Sequence, residues 1–272
     1  MKDLTVIIPL HEYNKNVEAL LTTAVESLKN ADKNEECNTI IVSPLESIKL
    51  PDFGLKNLKI VKSEKGDFCT QINTAANECK TKYFSILEYD DVYTEKWFDN
   101  VQNEIETGEQ ASIYLPLTEL VDYSEKDKGS IGYINEVVWA NSFSDVIGFL
   151  DLDSVQTYIN FNTTGGIFIT EDFKKIGGLK PSMKFAFWYE FLLRALNSGL
   201  VIYVIPKVGY KHIINREGSY TDSLNKTMKP EEADWWVDLS RKEMFFKKDR
   251  NNSAVIFHIQ IGYSIQVITI HP

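Results

Sequence analysis

The chain has 272 residues, a mass of 31.2 kDa and a formal net charge of −10. This length can bury the core of one large α/β domain, and 43% hydrophobic with 25% charged residues is ordinary for a globular protein. The acidic balance argues against a general affinity for nucleic acid or for an anionic membrane surface. The three cysteines match no metal-binding spacing, and their odd number is typical of a reducing compartment, so we expect a cytoplasmic protein.

The first hundred residues alternate between buried strands and amphipathic helices. Residues 4–9 (LTVIIP) form an uninterrupted apolar run closed by proline, as expected of a central parallel strand. Further strands are predicted over 39–43, 58–62 and 83–87, and helices over 17–28 and 68–79. This order predicts a doubly wound, mostly parallel sheet flanked by helices. The apolar run at the start is too short for a signal peptide, and no stretch has the length and purity of a membrane helix.

The elements beyond residue 94 are more varied. Helices are predicted over 95–105, 137–150, 171–176, 185–197 and 231–246, strands over 111–117, 163–170, 201–205 and 208–213, and loops over 123–132 and 215–223. The tail from 253 to 270 alternates between polar and apolar residues, which indicates a strand or hairpin. We therefore expect one domain over 1–222 and a helix and strand extension, 223–272, packed on it.

Three carboxylates follow the apolar strand at 83–87. The stretch YFSILEYDDVY places Glu88, Asp90 and Asp91 directly after that strand. Open α/β folds bind ligands at the carboxyl ends of their strands, and neighbouring carboxylates repel each other unless a cation offsets their charge. The stretch therefore indicates a divalent-cation site, although a solvated loop after a strand would also explain it.

Four separate stretches carry a resemblance to a known family. They are VIIP at the first strand, EYDD after the central strand, GGIFITEDFKKIGGL from residue 165, and FWYEFLLRALNSG from residue 187. In this order they resemble the family two glycosyltransferases of the GT-A fold, over roughly the first 220 residues. The resemblance implies a Rossmann-like GT-A sheet with a nucleotide-binding half, 1–117, and an acceptor-side half, 118–222.

The resemblance implies roles for the acids and for two later residues. Asp90 would contact the ribose and Asp91 would hold Mn²⁺ or Mg²⁺, with Glu88 in the place of the first acid of the motif. His212 would be a further metal ligand, and Arg216 would bind the diphosphate, since guanidinium binds phosphate oxygens bidentately. The alternatives are a surface or capping histidine for His212 and a solvated loop cation for Arg216.

The resemblance also implies where the nucleotide lies. The end of the first strand and two other segments would contact the base and ribose through Pro9, Leu10, Glu12, Ser43, Asp67 and Asn73. Ser43 stands where family members often have an acid that reads the base, which is a departure from the pattern. A nucleotide-diphosphate sugar is the expected donor, with a UDP-sugar favoured. Asn73 could equally be an amide on the surface of a helix.

The expected catalytic base is a second departure from the family. Alignment on Arg194 and Gly199 places Trp188 where the family has an acid. Glu190 is the only carboxylate of that helix, and its aromatic neighbours would raise its pKa toward that of a base, so we expect Glu190 to act there. The alternative is an ion pair with Arg194, four residues further on.

Acceptor contacts are expected from glycines and aromatic residues. Gly165 and Gly166 would let the acceptor or donor sugar approach the backbone, and Trp188 and Tyr189 would stack on a sugar ring. Trp235 and Trp236 could contribute, although packing in the core is the commoner fate of such side chains. The basic run 245–250 is explained by a helix end without any ligand.

These inferences point to one function and leave two alternatives. We expect a metal-dependent, inverting glycosyltransferase of polysaccharide biosynthesis that moves a sugar to a hydroxyl acceptor, which could be a glycan, lipid-linked or protein-linked. A nucleotide-sugar or glycan binding module without catalysis is one alternative. A sugar nucleotidyltransferase is the other, but such enzymes open with a Gly-rich basic loop that HEYNKN lacks.

Overall fold

A computed structural model of the chain describes residues 1–46, 48–123, 129–216 and 219–244, together with two strands between residues 256 and 269. Its first part is the predicted alternation of strands and helices: β1 (Leu4–Pro9), α1 (Lys15–Ala31), β2 (Asn38–Ser43), β3 (Leu58–Lys62), α2 (Phe68–Glu78) and β4 (Tyr83–Ile86). The predicted bounds of these strands and helices agree with the structure to within a few residues. The uninterrupted apolar runs form β1, β2 and β4 because all three are buried in the centre of the sheet.

The second part contains shorter strands and an extended pair. The elements are β5 (Val92–Tyr93), α3 (Trp97–Thr107), β6 (Ile113–Asp122), β7 (Gly129–Ile134), a 3₁₀ turn (Glu136–Trp139), α4 (Leu152–Thr157), β8 (Ile167–Ile169), α5 (Thr170–Lys175), α6 (Phe187–Asn197), β9 (Ile202–Ile214), α7 (Tyr220–Thr227), α8 (Pro230–Met244), β10 (Ile256–Ile261) and β11 (Ser264–Thr269). The last two strands form an antiparallel hairpin, as the alternating tail predicts. The basic run 245–250 lies outside the described residues.

One mixed sheet carries the fold. Its strands follow the order β3-β2-β1-β4-β8-β6-β9-β5, and β7 pairs with β6 at the side. The strands β1 to β4 pair in parallel, as do β6 and β9, whereas β8 runs antiparallel to both of its neighbours. Because β8 is antiparallel to both β4 and β6, these two strands run in the same direction. The carboxyl ends of β1, β4, β6 and β9 therefore meet at the same edge of the sheet. The predicted mostly parallel α/β sheet is confirmed.

Helices cover both faces of this sheet. The apolar sides of α1 and α3 pack on one face, and those of α2, α5 and α6 pack on the other. The late helix α8 packs on α6, where the Arg241 guanidinium donates to the Tyr189 hydroxyl at 3.0 Å and to the Gln156 carbonyl at 2.8 Å. Among the helices that the structure describes, none is long and apolar enough to cross a membrane.

Several predicted elements are wrong in the second half. Residues 137–150 form a 3₁₀ turn and irregular turns rather than a helix, because Trp139 packs edge-on against Tyr203 and Gly148 adopts a φ of +86°. Part of the expected loop 123–132 is the strand β7, whose exposed residues show no alternation. The two strands expected over 201–213 are the single strand β9, which is interrupted by irregular register beside Pro116. The expected loop at 215–223 includes the start of α7.

Candidate functional site

The acidic turn after β4 lies at the shared carboxyl edge of the sheet, next to the end of β9. The Asp91 side chain is buried and bound on both carboxylate oxygens. The Ile213 amide donates to Oδ1 at 2.7 Å, and His212 Nδ1 lies 2.8 Å from Oδ2. These partners follow Asp91 by more than a hundred residues, so the long strand β9 positions them.

The neighbouring acid is paired with a cation from the segment after β9. Arg216 Nε donates to Asp90 Oδ2 at 2.8 Å, and Arg216 Nη2 donates to the Tyr89 hydroxyl at 3.1 Å. The guanidinium also lies over the Tyr89 ring, 5.5 Å from its centroid. The centroid of the Tyr89 ring is also 5.5 Å from that of the His11 ring, and His11 follows β1. The ends of β1, β4 and β9 thus converge on one polar site.

Burial and mutual charge shift the titration of this site. Burial, followed by the charge of Asp91, raises the pKa of Glu88 to about 8. Burial lowers the pKa of His212, but the charge and hydrogen bond of Asp91 outweigh it, so that the pKa rises to about 10. Burial and Asp91 raise the pKa of Asp90, against the opposing effect of Arg216. Without a metal, bound protons therefore balance part of the negative charge of the site.

Three of these side chains fit a divalent cation. Ligand atoms of Glu88, Asp91 and His212 all lie within 4.8 Å of one another. Ligand atoms about 2.1 Å from an octahedral ion are roughly 3 to 4 Å apart, so small side-chain movements would suffice. Two carboxylates and an imidazole suit Mn²⁺, and the carboxylates also suit Mg²⁺. Glu88 therefore belongs with the expected ligands Asp91 and His212.

The residues expected around the nucleotide are held in different ways. The Leu10 amide donates to the Gln71 Oε1 atom at 3.0 Å, which fixes the end of β1 directly after the buried Pro9. Glu12 is half-buried and follows β1, and the buried Ser43 ends β2, so both lie at the edge of the sheet that carries the site. The sequence pattern does not indicate a role for Gln71, a polar residue that is buried in α2.

Two of the expected nucleotide contacts are engaged in structural bonds. The Asp67 carboxylate caps α2 by accepting from the Thr70 amide at 2.8 Å. The Asn73 side chain accepts from the Leu179 amide at 2.8 Å and donates to the Leu179 carbonyl at 2.7 Å. These structural bonds explain why an aspartate and an asparagine occur at these two positions, and no contact with a nucleotide is needed to explain them.

Glu190 is buried in a network of cations. Its side chain has no exposed surface and accepts from Arg194 Nε at 2.9 Å and from Arg194 Nη2 at 2.8 Å. Lys180 Nζ lies 3.0 Å from Oε1. Arg194 also donates to the carbonyls of Ile176 and Gly178, so the network ties α6 to the loop that follows α5. This geometry favours the ion-pair interpretation of Glu190 over its expected role as catalytic base.

The expected acceptor glycines accommodate side chains of the protein itself. A Cβ atom on Gly165 would lie 2.4 Å from Cδ2 of Tyr210, and a Cβ on Gly166 would lie 2.9 Å from Leu115. Gly165 also has a φ of +76°. These close approaches explain both glycines through packing inside the protein.

The expected aromatic contacts divide into exposed and buried residues. Tyr189 is buried and accepts from Arg241, whereas Trp188 is half-buried and stacks on Phe168 with a centroid distance of 5.9 Å. Trp236 is buried, and Trp235 is 53% exposed. Trp188 and Trp235 therefore retain surface that a ligand could cover.

Comparisons with solved structures identify the fold. Residues 1–349 of TarS from S. aureus in complex with UDP-GlcNAc superpose with a TM-score of 0.62, at 17% identity, covering 91% of this chain and 68% of that chain. The complex of the same TarS segment with UDP gives a TM-score of 0.60 at 16% identity, with the same coverage. The mannosyltransferase PcManGT from Pyrobaculum calidifontis, in complex with GDP-Man and Mn²⁺, gives 0.58 at 12% identity, covering 83% of this chain and 61% of that chain.

The fold and the site together define the class of structure. The chain has the GT-A fold of glycosyltransferases, with a candidate divalent-cation site at the carboxyl edge of its sheet. The expected fold is thereby confirmed. The sequence matches no protein-family model and no curated protein sequence.

Proposed function

We propose that the protein transfers a sugar from a nucleotide-diphosphate donor to a hydroxyl acceptor, with a divalent cation held by Glu88, Asp91 and His212. The observation that carries this proposal is the convergence of these three ligands beside Arg216 at the carboxyl edge of a GT-A sheet. TarS structures with UDP-GlcNAc and UDP, and the PcManGT structure with GDP-Man and Mn²⁺, lend support to this donor class. A UDP-sugar remains the favoured donor. The free cysteines are buried, which is compatible with the cytoplasmic setting that we expect.

The charges of the site suit a departing diphosphate. Bound Mn²⁺ or Mg²⁺ would neutralise the phosphate oxygens and stabilise the negative charge on the leaving nucleotide. Arg216, which contacts Asp90 in this structure, can offer its guanidinium to the same oxygens. If Arg216 moved from Asp90 to the diphosphate, the Asp90 carboxylate would be able to accept a hydrogen bond from a ribose hydroxyl. The ends of β1 and β2, with Pro9, Leu10, Glu12 and Ser43, would border the nucleoside.

The acceptor side needs a proton acceptor other than Glu190. Inversion at the anomeric carbon requires a base that takes the proton of the attacking hydroxyl. Because two cations occupy the carboxylate of Glu190, we assign Glu190 to holding α6 in place. Trp188, at the start of α6, would offer its half-exposed ring to a sugar.

The test of this proposal is the release of nucleotide from activated sugars. The purified chain would be incubated with a panel of UDP- and GDP-sugars in Mn²⁺, in Mg²⁺ and in EDTA. Turnover is expected only with metal, and Asp91→Asn should lower it by at least about 100-fold, as expected for loss of a metal ligand. Glu106→Gln, which removes an exposed acid of α3, serves as the matched control. Equal turnover in EDTA, or an Asp91→Asn variant as active as the control, would contradict the proposal.

A binding module without catalysis is the second candidate function. The specific observation in its favour is that the only acid of α6 is held in ion pairs, while Trp188 stands at the position of the family's acid. Calorimetry separates the two candidates. Tight binding of a nucleotide sugar in Mn²⁺, with no nucleotide released over the whole panel, would favour the module.

A further inference from the structure

A buried tyrosine lies directly behind the candidate metal ligands. Tyr210 is on β9, two residues before His212, and has no exposed surface. Its hydroxyl accepts from the Glu88 amide at 3.0 Å. Residues two apart on a strand face the same side, so Tyr210 and His212 approach the acidic turn together.

The Tyr210 ring is held by a rigid frame of other residues. It packs against Gly165, where a Cβ atom would collide with the ring, and edge-on against Tyr93 at a centroid distance of 5.5 Å. Gly165 is itself fixed, because its amide donates to the Ile86 carbonyl and its carbonyl accepts from Trp97 Nε1, both at 2.8 Å. The hydroxyl of Tyr210 therefore has a well-defined position.

We propose that Tyr210 is a positioning residue for the metal site, because its hydroxyl fixes the backbone of Glu88 so that the carboxylate can join Asp91 and His212 around the cation. This inference rests on the proposed function, since it concerns the same cation. Glu88 follows the end of β4, and its amide has no strand partner to hold it in place. The buried hydroxyl supplies this bond, and the same strand supplies His212 and the Ile213 amide to Asp91.

The bond predicts a specific effect on metal affinity. Tyr210→Phe keeps the ring and removes only the acceptor for the Glu88 amide, so Glu88 should lose its fixed position. Loss of an outer contact to a metal ligand typically weakens metal binding by about 10- to 100-fold. We expect the Kd for Mn²⁺, measured by calorimetry or by electron paramagnetic resonance, to rise by about tenfold, near the lower end of that range.

Tyr93 provides a matched control from the same aromatic cluster. Its hydroxyl lies 2.7 Å from Ser85 Oγ, and both groups are buried, whereas the Glu88 amide donates to Tyr210. Tyr93→Phe therefore removes a buried hydroxyl of the same kind and should lower the thermal stability by a similar amount. We expect its Kd for Mn²⁺ to equal that of the wild type.

The outcomes distinguish this inference from the proposed function. If the wild type binds Mn²⁺ and Tyr210→Phe binds it as tightly as Tyr93→Phe, the positioning role is refuted and the metal site stands. If the wild type binds no Mn²⁺, the metal site fails and the role of Tyr210 fails with it. Incorporation of 3-fluorotyrosine at position 210 keeps the hydroxyl and should keep the wild-type affinity; an equal loss there would assign the effect to the ring.

A measurement on the wild type needs no variant. The Glu88 amide should exchange its hydrogen as slowly as the paired amides of β4, because the Tyr210 hydroxyl accepts from it. Exchange of the Glu88 amide at the rate of an unprotected amide would overturn the inference, even if Tyr210→Phe failed to fold.

Discussion

Replacing Glu190 by glutamine would remove the negative charge that balances Arg194 and Lys180 at the start of α6. The Glu190 side chain has no exposed surface, and it accepts two hydrogen bonds from Arg194 and lies within 3.0 Å of Lys180 Nζ. Glutamine has nearly the same shape, so the change tests charge rather than packing. Stability should fall while the chemistry of each folded molecule persists.

The magnitude follows from the burial of the three groups. Removing one partner of a buried ion pair costs about 3 to 5 kcal/mol, because the remaining charge loses its compensation. Arg194 and Lys180 keep 12% and 31% of their side-chain surface exposed, so water partly compensates them and the lower end, about 3 kcal/mol, applies. For a domain of this size, that loss lowers the Tm by roughly 6 to 12 °C.

The assay combines denaturation with steady-state kinetics. Urea or thermal unfolding would give the stability of Glu190→Gln and of Arg194→Met. The Arg194→Met variant should lose at least as much stability, because it leaves the fully buried Glu190 carboxylate with Lys180 alone and removes the bonds to the Ile176 and Gly178 carbonyls. Nucleotide release per folded molecule should change by less than about threefold, whereas loss of a general base lowers kcat by about 10²- to 10⁴-fold. A Glu190→Gln variant with wild-type stability and a kcat lowered by more than about 100-fold would refute this reasoning and restore Glu190 as the base.

Three further predictions concern the acidic site and its surroundings. The folded pKa values of Glu88 (about 8) and His212 (about 10) lie above their ordinary values, so their contribution to stability is full at low pH and is lost as pH rises toward 10. The Tm of the metal-free protein should therefore fall from pH 6 to 9, and His212→Gln should make this fall less steep. An equally steep fall in the His212→Gln variant contradicts the raised pKa of His212. Gly165→Ala should cost about 1 to 3 kcal/mol in urea unfolding, because the new Cβ meets Tyr210 at a φ of +76°; wild-type stability contradicts this packing. Arg216→Lys should raise the KM for the donor by about tenfold, since lysine cannot bind phosphate oxygens as a fork, and an unchanged KM removes Arg216 from the donor site.

The sequence predicts the first half of the fold well because burial there is continuous. β1, β2 and β4 are surrounded by helices, so each appears as an apolar run without polar interruptions. The acids after β4 can be recognised in the sequence for the same reason, because they mark an abrupt change from apolar to charged residues at the end of such a run. The GT-A fold expected from the ordered motifs is confirmed by the structural comparisons.

The sequence is less informative where tertiary contacts decide the structure. β7 pairs along β6 with most of its residues exposed, so no alternation indicates a strand. The pairing of Asp91 with His212 and Ile213 spans more than a hundred residues and depends on the register of β9. For Glu190, the sequence shows the four-residue spacing to Arg194, but it does not show that Lys180 approaches from the preceding loop.

The most direct test of the account is a calorimetric titration of UDP and GDP into the protein with Mn²⁺ present. The cation site and Arg216 should together bind the diphosphate, so we expect binding in Mn²⁺ and little or none in EDTA. Asp91→Asn should abolish the nucleotide binding that requires Mn²⁺, and Glu106→Gln should bind as the wild type does. Binding of equal strength in EDTA, or no binding of either nucleotide in Mn²⁺, would contradict the central claim that this acidic turn holds a cation for a nucleoside diphosphate.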